Sequence, residues 1–312
     1  MKITNIIQCC CALACAFATS IFVNAQESAP RLNRAIELLE SDQAAFGVLS
    51  FDYSMENARS MARSGLDFII IDMEHSPFDI ENLRNFLLGM TDKRAIANKG
   101  NLQPDTVPFV RIPASGAEDL LSQAKQVLDV GVFGVMYPSI GNRQQAEMAV
   151  RATRYPQLLG ADDFRPEGLR GRNPTNAQWY WGIDDYFSKA DVWPLDRNGE
   201  LLAILQIESP EGVANIEEIM SVPGIGVIFI GPSDLSTSMG YASPNAAEVE
   251  AAIQTVLASC LVHDIPCAIT TTQGSVEQRI REGFRFVTVG ADGGLSTGTA
   301  NALRLGREAA DR

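Results

Sequence analysis

The sequence predicts a (β/α)8 barrel, and three observations carry the prediction. From residue 45 onward, short apolar, largely β-branched runs alternate with helical patterns, as in stacked βαβ units around a buried parallel sheet. Eight such runs occur, each with a helical segment after it, and eight is the number that closes this barrel. A doubly wound open sheet would explain the alternation too, but the strand count is high for one and no early G-x-G-x-x-G turn is present.

The elements follow in order. Strand one, 46–51, opens on Phe46-Gly47 and leads into an amphipathic segment at 55–64. Strand two, 67–72, carries Phe68-Ile69-Ile70-Ile71 and precedes a helix at 79–90. Strand three, 108–112, reads Phe109-Val110-Arg111-Ile112, with a helix at 117–130. Strand four, 134–137, is followed by a helix at 142–154 and then by a long irregular stretch. Strand five, 201–207, is an unbroken aliphatic run up to Gln206-Ile207, with a helix at 211–220. Strands six (227–230), seven (267–271) and eight (286–289) have helices at 245–263, 275–283 and 297–311.

Composition narrows the class of function. The chain has 312 residues, 46% hydrophobic and 20% charged, with a mean hydropathy of zero, which suits a folded globular protein and not a disordered or polytopic membrane chain. A net charge of −13 offers no grip on a phosphate backbone, so nucleic acid is excluded as a partner. Residues 1–25 read as a secretory signal: Lys2, an apolar stretch over 6–23, then Val23-Asn24-Ala25 before Gln26. Cleavage is expected after Ala25, giving an exported, periplasmic or secreted protein with no stable membrane association; an uncleaved anchor is the alternative. Ala12, standing where a Leu is usual, makes Cys15 a poor lipoprotein site. Residues 26–312 form a single barrel domain with an irregular insertion near 157–200, and they keep two of the six cysteines, Cys260 and Cys267. Their places at a helix end and in the next strand suit buried thiols better than a bridge.

Barrel chemistry sits at the C-terminal ends of the strands, and the polar residues there are few and mostly acidic. Strand two runs into Asp72-Met73-Glu74-His75-Ser76-Pro77, strand three ends in Arg111-Ile112-Pro113, strand five in Gln206-Ile207-Glu208, and strand six in Gly231-Pro232-Ser233-Asp234. Glu208 and Asp234 end neighbouring strands, so their carboxylates can share one hard divalent cation; alternatively, each caps the turn that follows it. Gln206 lies on the same inward face as Glu208. His75 is a general base or a loop histidine paired with Asp72 or Glu74. Arg111 needs an anion, either a substrate carboxylate or an acidic neighbour such as Asp72. Asp129 orients a histidine or simply closes its helix, and His263 reads as a C-terminal helix residue that favours the dipole.

Elimination helps here. The five lysines, Lys2, Lys93, Lys99, Lys125 and Lys189, all fall outside the predicted strands, which leaves no Schiff-base lysine in the mouth. No G-x-S-x-G elbow occurs, no nucleotide motif is present, and nothing calls for pyridoxal phosphate. Metal-assisted chemistry is what these residues leave.

Taken together, Phe46-Gly47, Ile71-Asp72-Met73-Glu74-His75-Ser76-Pro77, Val110-Arg111, Leu128-Asp129-Val130-Gly131, Gln206-Ile207-Glu208 and Gly231-Pro232-Ser233-Asp234-Leu235-Ser236 resemble the HpcH/HpaI aldolases from about residue 44 to 295. The resemblance implies a barrel of the phosphoenolpyruvate/pyruvate-like superfamily, assembled as a homo-oligomer, trimer or hexamer. It also implies an enzyme that joins or splits 4-hydroxy-2-oxo acids through a pyruvate enolate held on a divalent metal, Mg2+, Mn2+ or Co2+. The partners it implies are an α-keto acid and an aldehyde. Residue by residue, it assigns the metal to Glu208 and Asp234, and the pyruvate-like portion to Gln206 and to the Ser233 and Asp234 segment. His75 becomes the acid/base, Arg111 the stabiliser of the oxyanion, and Asp129 the acid that supports His75 across a subunit contact.

The sequence departs from that pattern in two connections. Residues 157–167 replace a short Pro-Gly link, and Trp179, Trp181 and Trp193 all lie in the region that follows, lining a bulky-substrate pocket or forming an ordinary packing cluster or a subunit interface. A further segment near 93–106 lengthens the connection before strand three, on the face away from the chemistry. Three functions follow in order of weight: an exported pyruvate aldolase, an exported keto-acid-binding relative without turnover, and an acyl-CoA lyase of the citrate lyase β-subunit type.

Overall fold

The computed structural model describes residues 31–291 and 295–312, so residues 1–25, expected to be a cleaved secretory signal, lie outside the described residues. Eight parallel strands run in sequence order: β1 (Ala45–Ser50), β2 (Phe68–Asp72), β3 (Val107–Arg111), β4 (Gly134–Tyr137), β5 (Leu202–Ile207), β6 (Val227–Ile230), β7 (Cys267–Thr270) and β8 (Phe286–Ala291). β1 pairs with both β2 and β8, which closes the barrel. The strands carry no charged residue before their last position, because both faces are buried, one against the interior and one against helices.

Pairing register fixes which residues point inward. Phe68 stands opposite Gly47 and Val107, and Asp72 opposite Arg111, so Phe68, Phe109 and Phe286 fall on one inner layer. The rings of Phe68 and Phe286 stack at 3.8 Å, with Phe109 edge-on to both at 6.1 and 5.9 Å. Three phenyl groups fill the lower barrel only because Gly47 carries no side chain: a Cβ there would lie 2.3 Å from the Phe68 ring.

The predicted helices appear as α2 (Met55–Ala62), α3 (Ile80–Met90), α5 (Leu121–Val130), α6 (Arg143–Thr153), α12 (Ala247–His263), α13 (Val276–Glu282) and α14 (Thr297–Ala309). The segment expected as one helix at 211–220 is two, α9 (Pro210–Ala214) and α10 (Ile216–Met220), broken at Asn215, whose Nδ2 donates to the Gly141 carbonyl at 2.8 Å. Five further helices were not foreseen: α1 (Arg34–Glu40), α4 (Lys93–Lys99), α7 (Thr175–Trp181), α8 (Tyr186–Lys189) and α11 (Pro232–Ser238). None of the described helices is long and apolar enough to cross a membrane. His263 closes α12, with its Nε2 2.9 Å from Glu217 Oε2. Cys260 and Cys267 are buried free thiols, as their positions suggested.

The connection between α6 and β5 lies at the N-terminal end of the barrel, since α6 returns from the mouth and β5 starts back toward it. The long insertion is therefore part of the floor. Trp181 stacks on Phe133 at 4.6 Å, meets Tyr186 edge-on at 4.8 Å, and donates from Nε1 to the Gly131 carbonyl at 2.8 Å. Of the readings of the aromatic region, Trp181 shows the packing cluster. Arg154, fully buried, ties the insertion together with Nε 2.8 Å from Asp191 Oδ1 and Nη2 2.7 Å from both Asp191 Oδ2 and Asp163 Oδ2.

Candidate active site

The last inward-facing positions of neighbouring strands converge at the C-terminal mouth. Asp72 ends β2 and Arg111 ends β3, directly opposite in register. Arg111 grips Asp72 with both arms of its fork, Nε to Oδ1 at 2.7 Å and Nη2 to Oδ2 at 2.8 Å. Its remaining Nη1 lies 3.0 Å from Glu74 Oε2. The ion pair with Asp72, one of the two readings of Arg111, is thus present. Glu74 extends it toward the mouth, where burial pushes the Glu74 carboxyl up against the pull of Arg111.

Glu208 stands one residue beyond β5 and is buried. It does not cap α9; Ser209 does that, accepting from the Gly212 amide at 3.1 Å. Glu208 Oε1 accepts instead from the Ser139 backbone amide and from Ser139 Oγ, each at 2.8 Å. Oε2 accepts from Gln206 Nε2, while Gln206 Oε1 is buried with no partner among the described residues. A Cβ on Gly231 would come within 2.8 Å of Gln206 Nε2 and 2.9 Å of Glu208 Oε2, so the missing side chain keeps open the space beside that carboxylate oxygen. Burial raises the Glu208 carboxyl, and the charges of Asp234 and Glu74 add to the rise against the donors from Ser139.

Asp234 falls in the first turn of α11, whose N-cap position is Gly231. That turn leaves the Ser233 amide without an intrahelical acceptor. His75 is exposed at the rim, its Nε2 3.6 Å from Glu74 Oε2, too long for a hydrogen bond with neutral imidazole and close enough for an ion pair when protonated. Asp129 lies elsewhere: it ends α5 at the foot of β4, about one helix length below the mouth, with Arg170 Nη2 2.9 Å from its Oδ1. Within one chain it does not face His75.

The mouth therefore holds Asp72 and Glu74 on Arg111, with Glu208 and Asp234 close enough for their charges to act on one another and the unpartnered Gln206 oxygen buried on the residue next to Glu208 on the same face. Carboxylate and amide oxygens are the donors a hard divalent cation takes, and the cradle left by Gly231 gives it room, so these residues fit one. A second acidic group, Asp163, Asp191 and Asp196, also brings its oxygens within 4.8 Å of one another. The Arg154 guanidinium already sits on two of the three, supplying the positive charge there. Ser139 is the site residue that the sequence did not disclose. It ends the β4 connection in the right place, but its left-handed backbone, φ 56°, has no signature in a Pro-Ser-Ile run.

Comparison with known proteins agrees with the fold. A family model described as HpcH/HpaI aldolase/citrate lyase matches residues 49–298. The chain is 35% identical over 267 residues to a 4-hydroxy-2-oxo-heptane-1,7-dioate aldolase of Shigella boydii serotype 18, covering 84% of this chain and 89% of the relative. It is 30% identical over 260 residues to a 5-keto-4-deoxy-D-glucarate aldolase of Salmonella arizonae, covering 82% and 90%. Among solved structures, an HpcH/HpaI aldolase/citrate lyase family protein from Burkholderia cenocepacia superimposes with a TM-score of 0.69 at 30% identity, over 88% of this chain and 96% of that one.

Proposed function

The chain belongs to the HpcH/HpaI aldolase/citrate lyase family, and we propose that it is an exported, divalent-metal-dependent aldolase cleaving or forming the C3–C4 bond of 4-hydroxy-2-oxo acids. The observation that carries this reading is the buried Glu208, hydrogen-bonded to a Gln206 whose oxygen is left without a partner, with open space at Gly231 beside Oε2 and Asp234 near enough for its charge to raise the Glu208 carboxyl. The names of both relatives, aldolases of keto acids, support it over the acyl-CoA and non-catalytic alternatives.

Glu208 and Asp234 hold the cation, Mg2+ or Mn2+; when bound, it supplies Lewis acidity toward the carboxylate and keto oxygens of the substrate. Gln206 and the Ser233 amide bind the pyruvate-like end. His75, exposed at the rim, takes the proton of the 4-hydroxyl as the C3–C4 bond breaks and the aldehyde leaves; the pyruvate half then takes a proton at C3. Arg111, held rigid on Asp72, presents positive charge at the mouth where negative charge develops. Asp129 sits at the barrel foot, so its support of His75 comes from a neighbouring copy in a homo-oligomer, trimer or hexamer. The apolar residues exposed on the insertion, Leu158, Leu159 and Trp179, are consistent with assembly. Export follows from residues 1–25, leaving 26–312 as the mature chain.

The test is pyruvate release from a panel of 4-hydroxy-2-oxo acids by residues 26–312, before and after chelation. Release that stops with EDTA, returns with Mg2+ or Mn2+, and falls at least 100-fold in His75→Ala is the expected outcome. Turnover of none of the panel by a folded protein would remove the aldolase reading.

A further inference from the structure

The turn that follows β4 is held more firmly than its position at a barrel rim requires. The Pro138 carbonyl accepts from the Gly116 amide at 3.0 Å, and the Ile140 amide donates to the Gln206 carbonyl at 3.0 Å, so both neighbours of Ser139 are tied to the ends of adjacent elements. One residue on, the Gly141 amide donates to Gln145 Oε1 at 2.7 Å, and its carbonyl accepts from Asn215 Nδ2 at 2.8 Å. Gly116 lets the chain come this close: a Cβ there would stand 3.1 Å from the Ser139 carbonyl oxygen and 2.9 Å from the Ile140 side chain.

Between these anchors Ser139 adopts φ 56°, a left-handed conformation that disfavours a non-glycine residue and persists only where the surroundings impose it. The result is that one residue aims two donors at one atom, with both its amide and its hydroxyl 2.8 Å from Glu208 Oε1. Oε1 is thereby saturated, and the carboxylate is turned so that Oε2 faces Gln206 and the open space at Gly231.

We propose that Ser139 is a positioning residue for the cation site, locking Glu208 so that a single oxygen, Oε2, is presented to the metal. The inference rests on the proposed role of Glu208 as a ligand and adds to it the residue that fixes the ligand's rotamer. Neighbours that orient a metal-bound carboxylate typically contribute 10- to 100-fold in affinity.

The experiment is a Mn2+ titration of residues 26–312, reading free Mn2+ by electron paramagnetic resonance, with a thermal melt of each protein. Wild type binds Mn2+ and Glu208→Gln does not. Ser139→Ala, which keeps the amide but loses the hydroxyl, and Ser139→Gly, which also relieves the left-handed backbone, both weaken binding about 10-fold or more, with melting close to that of wild type in the absence of metal. Binding in the wild type that is lost in Glu208→Gln yet unchanged in Ser139→Ala overturns the role of Ser139 alone. Loss in Ser139→Ala with full retention in Ser139→Gly assigns the effect to backbone strain and overturns the role of the hydroxyl. No Mn2+ binding by folded wild type overturns the cation reading of the mouth and this inference with it.

Discussion

At the scale of single residues, the mouth is built from groups that a stability-optimised barrel would not choose. Burial raises Glu208 and Glu74, so each is worse off ionised in the folded protein than in the unfolded chain. A carboxyl raised on folding costs nothing below its unfolded value, and its cost grows as pH rises from there to the folded value. Glu208→Gln therefore stabilises the metal-free protein, and its melting advantage over wild type grows as pH rises above about 4, through the interval between the unfolded and the raised folded value. Adding Mn2+ at neutral pH reverses the order, because only wild type gains a ligand. Melts of both proteins in EDTA across that range check this, and a difference that stays flat with pH would contradict it. The sequence made the polar groups of the mouth legible: His75, Arg111, Glu208 and Asp234 are polar residues at the ends of otherwise apolar strands. It offered the Arg111–Asp72 pair as one of two readings, and that pair is present. It did not make legible the contact of Arg111 with Glu74 or the partner of Glu208, which is Ser139 in a backbone conformation that no local pattern encodes.

At the scale of elements, strands were the easiest to read. All eight agree with the sequence to within two residues at either end, because burial on both faces forces unbroken apolar runs. The unforeseen helices share a different character: α1, α4, α7, α8 and α11 have at most seven residues each, too short to show an amphipathic period. The insertion between α6 and β5 is irregular in sequence, so only topology locates it, at the floor and away from the mouth of its own barrel. A role confined to packing has a direct consequence. Trp181→Ala, which empties the stack on Phe133, lowers stability by about 3–5 kcal/mol while leaving kcat and KM of the remaining folded enzyme unchanged. Urea unfolding beside steady-state kinetics measures both, and a shift in KM would place this segment at a substrate site, its own or that of a neighbouring subunit.

At the scale of the whole molecule, the separation of ends is the organising feature. The floor carries the buried ion pairs of Arg154 and the aromatic cluster, and the mouth carries the clustered carboxylates. Both ends hold an acidic group able to attract a divalent ion, but at the floor Arg154 already bridges Asp163 and Asp191, whereas among the described residues no salt bridge reaches Glu208 or Asp234. The most direct test of the account is anomalous diffraction at the manganese edge from crystals of residues 26–312 grown with Mn2+ and pyruvate. The account predicts one peak between Glu208 and Asp234, with pyruvate beside Gln206. A peak among Asp163, Asp191 and Asp196 with an empty mouth would contradict it.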